Sequence, residues 1–442
     1  MTGSHLCLDI GSTYTKALHV TSEGRTSFLS HRTTLDTDVA EGVAAVASGV
    51  SLQSAYACSS AGGGLRLAVI GNEPLVTARA AYQSGLSAGA KVVHVGAGDG
   101  WAAAEVAAAQ PDLILLAGGT DGGDGGQVVS HARRLAQAAR DHPELTVPVI
   151  YAGNSEVTGD VRDVLSGFEF TSCENVLPRI GELNPEPARA RLRDAFLEHV
   201  IGGKHLTSHT EVLHAIAMPT PDAMLAGVEF MSREVDTDIV VVDVGGATTD
   251  VYSARRPDPE ISQVNAEVSG TAWNSRTVEG DLGLRHNARG IAEAAVSEKL
   301  LTEEWYRQWE PHLDHRVAHP EYLASPGEEA ELDQRLCTLA ARIAVRRHAR
   351  GQRIGGPQQP RRGAKNLKST GLLIASGGFF RAHPRTMIDT LRSEVIRDTA
   401  GGIQPPRDAE VRVDTGYLLF AIGLLGKDKP HLAQRLTEIV VG

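Results

Sequence analysis

Residues 238–253 combine side chains and backbone positions that suit the binding of a phosphate group. An apolar, mostly β-branched run surrounds a single acid, Asp243, and predicts a buried strand that ends near this acid. The glycine pair that follows can adopt positive φ angles and lets backbone amides approach a ligand closely, and two threonines supply hydroxyl groups. Amide, hydroxyl and carboxylate groups in one turn suit a metal-bound polyphosphate. The residues of this candidate loop are Gly245, Gly246, Thr248 and Thr249.

The same pattern occurs near the N-terminus, where residues 5–20 contain a strand, the acid Asp9, a glycine, hydroxyl residues and a second strand. A later glycine pair, Gly377 and Gly378, also follows an apolar strand. One such turn is equally typical of an ordinary hairpin with a polar tip, whereas three in this order indicate a nucleotide site. The candidate loop residues of the N-terminal copy are Gly11, Ser12, Thr13 and Lys16.

Two such hairpins followed by a strand and a glycine pair resemble the actin, hexokinase and heat-shock ATPase superfamily. The resemblance implies the fold class, which is an α/β protein with an actin-like (ribonuclease H-like) two-domain ATPase fold and an inserted α/β unit. In that superfamily the hairpins face each other across a cleft and hold the phosphates, and the late glycine pair lies against the adenosine. The resemblance therefore implies ATP as the ligand, with Mg²⁺ held through water molecules by Asp9 and Asp243.

The composition of the chain limits the class of protein. The 442 residues are 42% hydrophobic, and this length predicts two or three domains. A net charge of −11 argues against nucleic acid as the main partner. The four cysteines are far apart and form no Cys-x-x-Cys pair, which favours a reducing compartment. Because we find neither a long apolar run nor a signal peptide, we expect a cytoplasmic globular protein without a membrane partner.

Alternating strand and helix patterns predict the domain organisation. We expect a discontinuous first actin-like domain over residues 1–90 and 405–442, because in this superfamily a C-terminal helix returns to the first domain. Residues 91–200 predict an inserted, open parallel α/β unit, and residues 201–235 predict connecting helices. Residues 236–404 predict the second actin-like domain, which holds the central hairpin and the glycine pair on the adenosine side.

Two glycine-rich turns lie in the expected insert, at residues 96–100 and 118–126, and each follows a strand as a ligand-binding loop would. The first turn is not a dinucleotide fingerprint, because Trp101 stands where that motif requires glycine. In the second turn Asp121 and Asp124 could hold a metal ion, but acidic glycine-rich turns are also common as solvated turns. The sequence leaves both interpretations open.

Two further acids, Glu279 and Asp281, follow the second hairpin among glycines and outside any apolar periodicity. A nucleotide hydrolase needs a carboxylate to orient or deprotonate the attacking water. Either acid could do this, or could instead cap the helix that starts near Gly290. The candidate catalytic residues are therefore Asp9, Asp243, Glu279 and Asp281.

The chain contains six distinctive segments, at residues 9–16, 60–66, 116–123, 175–184, 243–250 and 276–283. Together they resemble one family, the accessory proteins of adenosylcobalamin-dependent methylaspartate (glutamate) mutase, of the MutL/GlmL type. The resemblance extends over about residues 5–425 and departs near residues 351–363, where the loop is longer and more basic than expected. We expect this basic segment to be a surface loop.

The family resemblance implies an ATP-binding and ATP-hydrolysing accessory protein whose partners are the subunits of a cobalamin-dependent mutase. Such mutases lose activity when damaged cobalamin stays bound to them. The implied role is that of a chaperone-like reactivase, in which opening and closing of the cleft promotes release of the damaged cofactor. The chain lacks the Asp-x-His-x-x-Gly signature with which many of these enzymes ligate cobalt, so we do not expect it to carry cobalamin in that way.

Other functions stay open on the same fold. A small-molecule kinase would use a single aspartate to deprotonate the acceptor hydroxyl, and a non-catalytic, nucleotide-gated scaffold of the actin type would polymerise with ATP. An electron-donor activase of acyl-CoA dehydratases has similar hairpins but requires an iron–sulfur cluster held by cysteines. The scattered cysteines of this chain do not favour that activity.

Overall fold

The computed structural model describes residues 4–11, 14–33, 39–47, 55–60, 65–73, 77–88, 90–202, 215–255, 274–353, 361–362, 364–399 and 404–442. These residues form two compact units. The first unit contains the described residues of Met1–Ala223, and the second contains those of Met224–Arg256, Asn274–Gln352 and Arg361–Gly442.

The first unit alternates strands and helices. Its elements are β1 (Ser4–Ile10), β2 (Tyr14–Thr21), β3 (Thr26–Arg32), α1 (Val39–Val46), β4 (Ala55–Ser59), β5 (Arg66–Gly71), α2 (Thr77–Ser87), β6 (Lys91–Ala97), α3 (Ala103–Ala108), β7 (Leu113–Ala117), α4 (Gly126–Asp141), β8 (Val149–Tyr151), α5 (Thr158–Val164), β9 (Phe170–Ser172), α6 (Glu186–Gly202) and β10 (Ile216–Pro219). The boundary between the units falls within the next helix, α7 (Thr220–Glu234).

The second unit places most of its helices after its first three strands. Its elements are β11 (Asp238–Val244), β12 (Thr249–Ala254), β13 (Asn274–Glu279), α8 (Ala288–Ser297), α9 (Glu303–Ala318), α10 (Glu328–Arg350), β14 (Gln352–Arg353), β15 (Arg361–Arg362), β16 (Thr370–Ser376), α11 (Gly378–Ala382), α12 (Pro384–Glu394), β17 (Glu410–Val413), α13 (Leu419–Leu425) and α14 (Pro430–Val441). None of the helices in the described ranges has the length and apolar character needed to cross a membrane.

A five-stranded sheet of the first unit has the order β10-β4-β1-β2-β3. Strand β2 runs antiparallel to β1 and β3, whereas β4 runs parallel to β1 and β10. The central strand β1 is buried from its third residue onward because that stretch is apolar except for Asp9. A sheet whose strands follow the order 3-2-1-4-5, with only the second strand reversed, has the ribonuclease H-like arrangement.

The second unit repeats this arrangement in the sheet β13-β12-β11-β16-β17. Strand β12 is antiparallel to β11 and β13, and β16 is parallel to β11 and β17. The long helix α10 buries its apolar side in the core beneath this sheet. Its first turn is acidic and its last turn is basic, which complements the helix dipole.

A third sheet is inserted between β4 and β10 and has the order β6-β5-β7-β8-β9. All its strands are parallel. Helices α2 and α6 contribute to the core on one of its faces, and α3, α4 and α5 contribute to the core on the other. Parallel sheets are typically covered on both faces in this way, because crossover helices connect their strands.

The acids of the glycine-rich turn after β7 hold that turn together. Asp121 Oδ1 accepts hydrogen bonds from the Ser155 amide at 2.9 Å and from Asn175 Nδ2 at 3.1 Å. Asp124 Oδ1 accepts one from the Gly126 amide at 2.8 Å. No group of three or more His, Cys, Asp or Glu side chains in the described part of the chain is arranged to hold a metal ion. These contacts favour the structural interpretation of the turn.

Two ribonuclease H-like sheets and an inserted parallel sheet confirm the predicted fold class. Three segments lie elsewhere than the sequence led us to expect. Residues 216–219, expected among connecting helices, form β10, which pairs with β4. Residues 66–71, expected in the first actin-like domain, form β5 inside the parallel sheet, because this apolar strand pairs with both β6 and β7. Residues 410–413, expected in the first domain, form β17, which pairs with β16 in the second unit. The expected basic surface loop falls largely on residues 354–360 and 363, outside the described residues.

Candidate functional site

Three donors surround the carboxylate of Asp9, and the most distant is the Cys58 thiol, whose Sγ lies 3.8 Å from Oδ1. Asp9 is 4% exposed, and Lys16 lies opposite it in the antiparallel pair of β1 and β2. Lys16 Nζ donates to Asp9 Oδ2 at 2.9 Å. The hydroxyl of Thr220, the first residue of α7, donates to Asp9 Oδ1 at 2.7 Å. The structure therefore pairs Lys16, a candidate phosphate ligand, with the neighbouring acid.

A tight turn begins at Gly11, directly after β1. Its amide donates to the Tyr14 carbonyl at 3.1 Å, and a Cβ at this position would lie 2.7 Å from the same oxygen. Any larger residue would collide with the backbone, so this turn requires glycine. The two remaining residues of the candidate loop, Ser12 and Thr13, lie outside the described residues.

The second hairpin places its loop between two acids. Asp243 lies opposite Asp250 in the pair of β11 and β12, and the Gly245 amide donates to the Thr248 carbonyl at 2.9 Å. Gly246 and Ala247 are exposed at the tip. Within the described ranges, the amides of these two tip residues donate no hydrogen bond to another residue. The loop therefore has two backbone donors available for a ligand.

The glycine pair of this loop does not use positive φ angles, contrary to the sequence expectation. Gly245 is favoured instead by close approach, because a Cβ there would make a tight contact of 3.1 Å with the Thr248 carbonyl oxygen. Gly246 has open space on its side-chain face, where the nearest atoms, those of Arg285, are 3.9 Å from an ideal Cβ.

Residues 280–287, which include the candidate acid Asp281, support this loop through hydrogen bonds to its carbonyl groups. The Leu284 amide donates to the Gly245 carbonyl at 3.0 Å, and the amides of Arg285 and His286 both donate to the Gly246 carbonyl at 2.9 Å. Asn287 Nδ2 donates to the carbonyls of Ala247 and Gly280, each at 2.8 Å. These bonds fix the loop through its carbonyl groups and leave the amides of Gly246 and Ala247 without a partner among the described residues.

The two threonines of the loop differ in burial and in the acceptor of their hydroxyl groups. Thr248 is half-buried, and its hydroxyl donates to Asp250 Oδ2 at 3.2 Å. Thr249 is fully buried, and its hydroxyl donates to the Leu282 carbonyl at 2.5 Å. Thr249 is thus tied to the supporting segment, whereas Thr248 lies next to the exposed tip.

The acids after the second hairpin are joined by one arginine. Arg347 Nη1 donates to Glu279 Oε2 at 2.8 Å and to the two carboxylate oxygens of Asp281 at 2.7 and 2.9 Å. Burial raises the pKa of Glu279 to about 7, although the hydrogen bond from Arg347 opposes this shift. Such a pKa suits a group that exchanges a proton near neutral pH.

The late glycine pair begins α11 after β16. Gly377 has a φ of 118°, and a Cβ there would lie 2.3 Å from the Val244 carbonyl oxygen. Both constraints require glycine at this position. Gly378 is the first residue of the helix. Gly377 therefore packs on the strand that leads into the second loop.

The structure brings most candidate residues of the second unit to the same end of its sheet, where β11 ends, β12 begins and β13 ends. The sequence did not identify Thr220 or Arg347, because their partners lie far away along the chain and no local pattern marks them. The segment 280–287 did carry a signal, since Gly280 and Gly283 are spaced as in a tight turn.

The chain is similar to one protein family and to several solved structures. The family model described as MutL protein matches residues 5–440. Protein MutL of Clostridium tetanomorphum is 31% identical over 463 residues, covering 98% of this chain and 98% of that protein. Similar solved structures include the ATP-dependent caprolactamase of Pseudomonas jessenii, with 10% identity and a TM-score of 0.39 over 95% of this chain and 70% of that one. A ROK family glucokinase of Streptomyces griseus, in complex with glucose and AMPPNP, has 12% identity and a TM-score of 0.32 over 96% of this chain and 98% of that one. The chain belongs to the MutL protein family.

Proposed function

We propose that this protein is an ATP-binding and ATP-hydrolysing accessory protein of an adenosylcobalamin-dependent glutamate mutase or a related aminomutase. The observation that carries the nucleotide part is the loop of Gly245, Gly246 and Ala247, whose tip amides have no partner in the described part of the chain. A second observation supports it: a carboxylate with a pKa of about 7 ends the neighbouring strand β13.

The residues of the loop fit a nucleotide triphosphate. The tip amides and the Thr248 hydroxyl would donate to phosphate oxygens, as backbone donors do in anion-binding turns. Asp243 is half-buried at the end of β11, where it would hold Mg²⁺ through water molecules, since this ion keeps most of its hydration shell. The ion would neutralise phosphate charge. In the first unit, the residues proposed for the same tasks are Asp9, Gly11, Ser12, Thr13 and Lys16.

The mutase part of the proposal is supported by membership of the MutL family. ATP binding and hydrolysis would drive a conformational cycle, and this cycle would promote release of damaged cobalamin from the mutase. The protein would then act as a chaperone-like reactivase, with the mutase subunits as its partners. Gly377 and Gly378 would lie on the adenosine side of the bound nucleotide.

The experiment that tests the proposal measures ATP hydrolysis with Mg²⁺ by the full chain, alone and with its mutase inactivated by hydroxocobalamin, while cobalamin release is followed by absorbance. We expect release that requires ATP and Mg²⁺ and that falls about 100-fold or more with Asp243→Ala. Asp389→Ala is the matched control, because that side chain is 81% exposed on α12.

The other outcomes separate the competing functions. Absence of ATP binding would contradict the proposed nucleotide site itself. ATP binding with phosphate transfer to a small molecule would indicate a kinase, and ATP-dependent polymerisation without hydrolysis-coupled release would indicate a scaffold.

A further inference from the structure

Glu279 and Asp281 share the guanidinium group of Arg347 but differ in how their own oxygens are used. Both carboxylate oxygens of Asp281 accept from Arg347 Nη1, at 2.7 and 2.9 Å. Only one oxygen of Glu279, Oε2, accepts from it, at 2.8 Å. The other oxygen, Oε1, accepts no hydrogen bond from any residue that the structure describes. Glu279 thus has one anchored oxygen and one that is available.

Glu279 is also the more buried of the two acids. The side chain of Glu279 is 12% exposed, whereas that of Asp281 is 50% exposed. The carbonyl oxygen of Asp281 packs closely on Gly290, where an ideal Cβ would lie 2.3 Å from it. Asp281 is therefore held as an anchor, and Glu279 lies in the drier environment in which proton transfer to a carboxylate is favoured.

The position of Glu279 relates it to the second loop. It is the last residue of β13 and pairs with Thr249, the last residue of the loop. Its neighbour Val278 pairs with Asp250, which accepts from the Thr248 hydroxyl. The backbone of Glu279 therefore lies on the strand next to the end of the loop that we propose to hold phosphates.

We propose that Glu279, and not Asp281, is the general base for ATP hydrolysis and that Arg347 is the residue that positions it. This inference rests on the proposed function and adds to it the assignment of the proton acceptor. In the step, Oε1 of Glu279 takes a proton from water while the water oxygen bonds to the γ-phosphorus. The bond between the γ-phosphorus and the β–γ bridging oxygen breaks, and ADP leaves with that oxygen. Arg347 keeps the carboxylate oriented through Oε2.

The charges that face Glu279 predict two opposite effects. Burial raises its pKa to about 7, Arg347 on α10 lowers it, and the carboxylates of Asp281 and Asp250 raise it. Loss of Arg347 should therefore raise the pKa further, and loss of the Asp281 charge should lower it. If Glu279 is the base, both changes will move the acidic limb of the pH profile of hydrolysis.

The test compares pH profiles of ATP hydrolysis by the full chain and its variants. Glu279→Gln should reduce the rate by about 10²–10⁴-fold. Arg347→Met should move the acidic limb to higher pH by about one unit, and Asp281→Asn should move it to lower pH while hydrolysis continues. Arg347→Lys keeps the charge, so its limb should lie between those of the wild type and Arg347→Met.

A matched control is available on the same helix. Arg350 donates to Glu298 at 2.6 Å, and among the described residues no hydrogen bond or ion pair joins it to Glu279. Arg350→Met should leave the limb in place. Thermal melting and binding of a non-hydrolysable ATP analogue will separate loss of folding from loss of proton transfer.

Two results would overturn the inference while leaving the proposed function intact. One is loss of hydrolysis in Asp281→Asn with activity retained in Glu279→Gln, which would make Asp281 the base. The other is an acidic limb that stays in place in Arg347→Met. Absence of hydrolysis in the wild-type chain would instead contradict the proposed function itself.

Discussion

Asp243 lies directly opposite Asp250 across the antiparallel pair of β11 and β12. Two like charges that face each other across strands repel. Here Arg276 offsets this repulsion by pairing with Asp250. Its Nε and Nη2 atoms donate to Asp250 Oδ1 at 2.8 and 2.7 Å. The charge of Asp250 is thereby balanced by Arg276 inside the sheet. Asp243 is the acid of the pair that we propose to hold Mg²⁺.

Replacing Asp250 by asparagine should destabilise the second unit strongly. The change leaves the charge of Arg276, which is 9% exposed, without its carboxylate, and breaking a buried pair in this way costs about 3–5 kcal/mol. Chemical denaturation measures the free energy of unfolding. Asp408→Asn is the control, because its partner Arg397 is 73% exposed and surface pairs contribute about 0–1 kcal/mol. Equal losses in the two variants would contradict the role of Arg276.

Replacing Gly283 by alanine should weaken nucleotide binding through the loop that it supports. A Cβ at this position would lie 2.3 Å from the carbonyl carbon of Ala247, so the tip of the loop must move. Gly280→Ala is the matched control in the same segment, because a Cβ there would meet nothing within 4 Å. Isothermal titration with ATP and Mg²⁺ should show a loss of affinity only in Gly283→Ala. Unchanged affinity in both would show that the segment does not position the loop.

Replacing Lys16 by methionine should lower stability by about 2 kcal/mol, because it removes a charged donor from the buried Asp9. Adding Asp9→Asn should restore part of the loss, since the remaining group no longer carries a charge. A double-mutant cycle by thermal or chemical unfolding gives the coupling between the two side chains. A coupling near zero would mean that the ion pair contributes nothing to folding. ATP titration of Lys16→Met measures separately whether this lysine also binds phosphate.

The stability of the protein should depend on pH through Glu279. Its pKa is raised from an ordinary value of 4.5 to about 7 in the folded state. The folded state therefore keeps a proton that the unfolded state has lost, and the free energy of unfolding should fall as pH rises from 4.5 to about 7. Glu279→Gln cannot ionise, so the difference between its stability and that of the wild type should change across this range. Parallel curves for the two proteins would contradict the raised pKa.

Local residue types predicted the two hairpins, and the resemblance that they carry predicted the fold class. In each hairpin the strand, acid, glycine and second strand are neighbours along the chain, so local residue types specify the turn and its pairing. Gly11 illustrates this, because the backbone of its own turn leaves no room for a Cβ at that position.

Packing between distant segments brings partner groups to the candidate residues of each unit. Thr220 donates to Asp9 across 211 residues of sequence, and Arg347 reaches Glu279 across 68. The placement of β5 in the parallel sheet and of β17 in the second unit is decided in the same way, by pairing with strands that are distant in sequence. Such contacts depend on the packing of whole helices and strands. The two residues that form each contact lie in no local sequence pattern that would predict it.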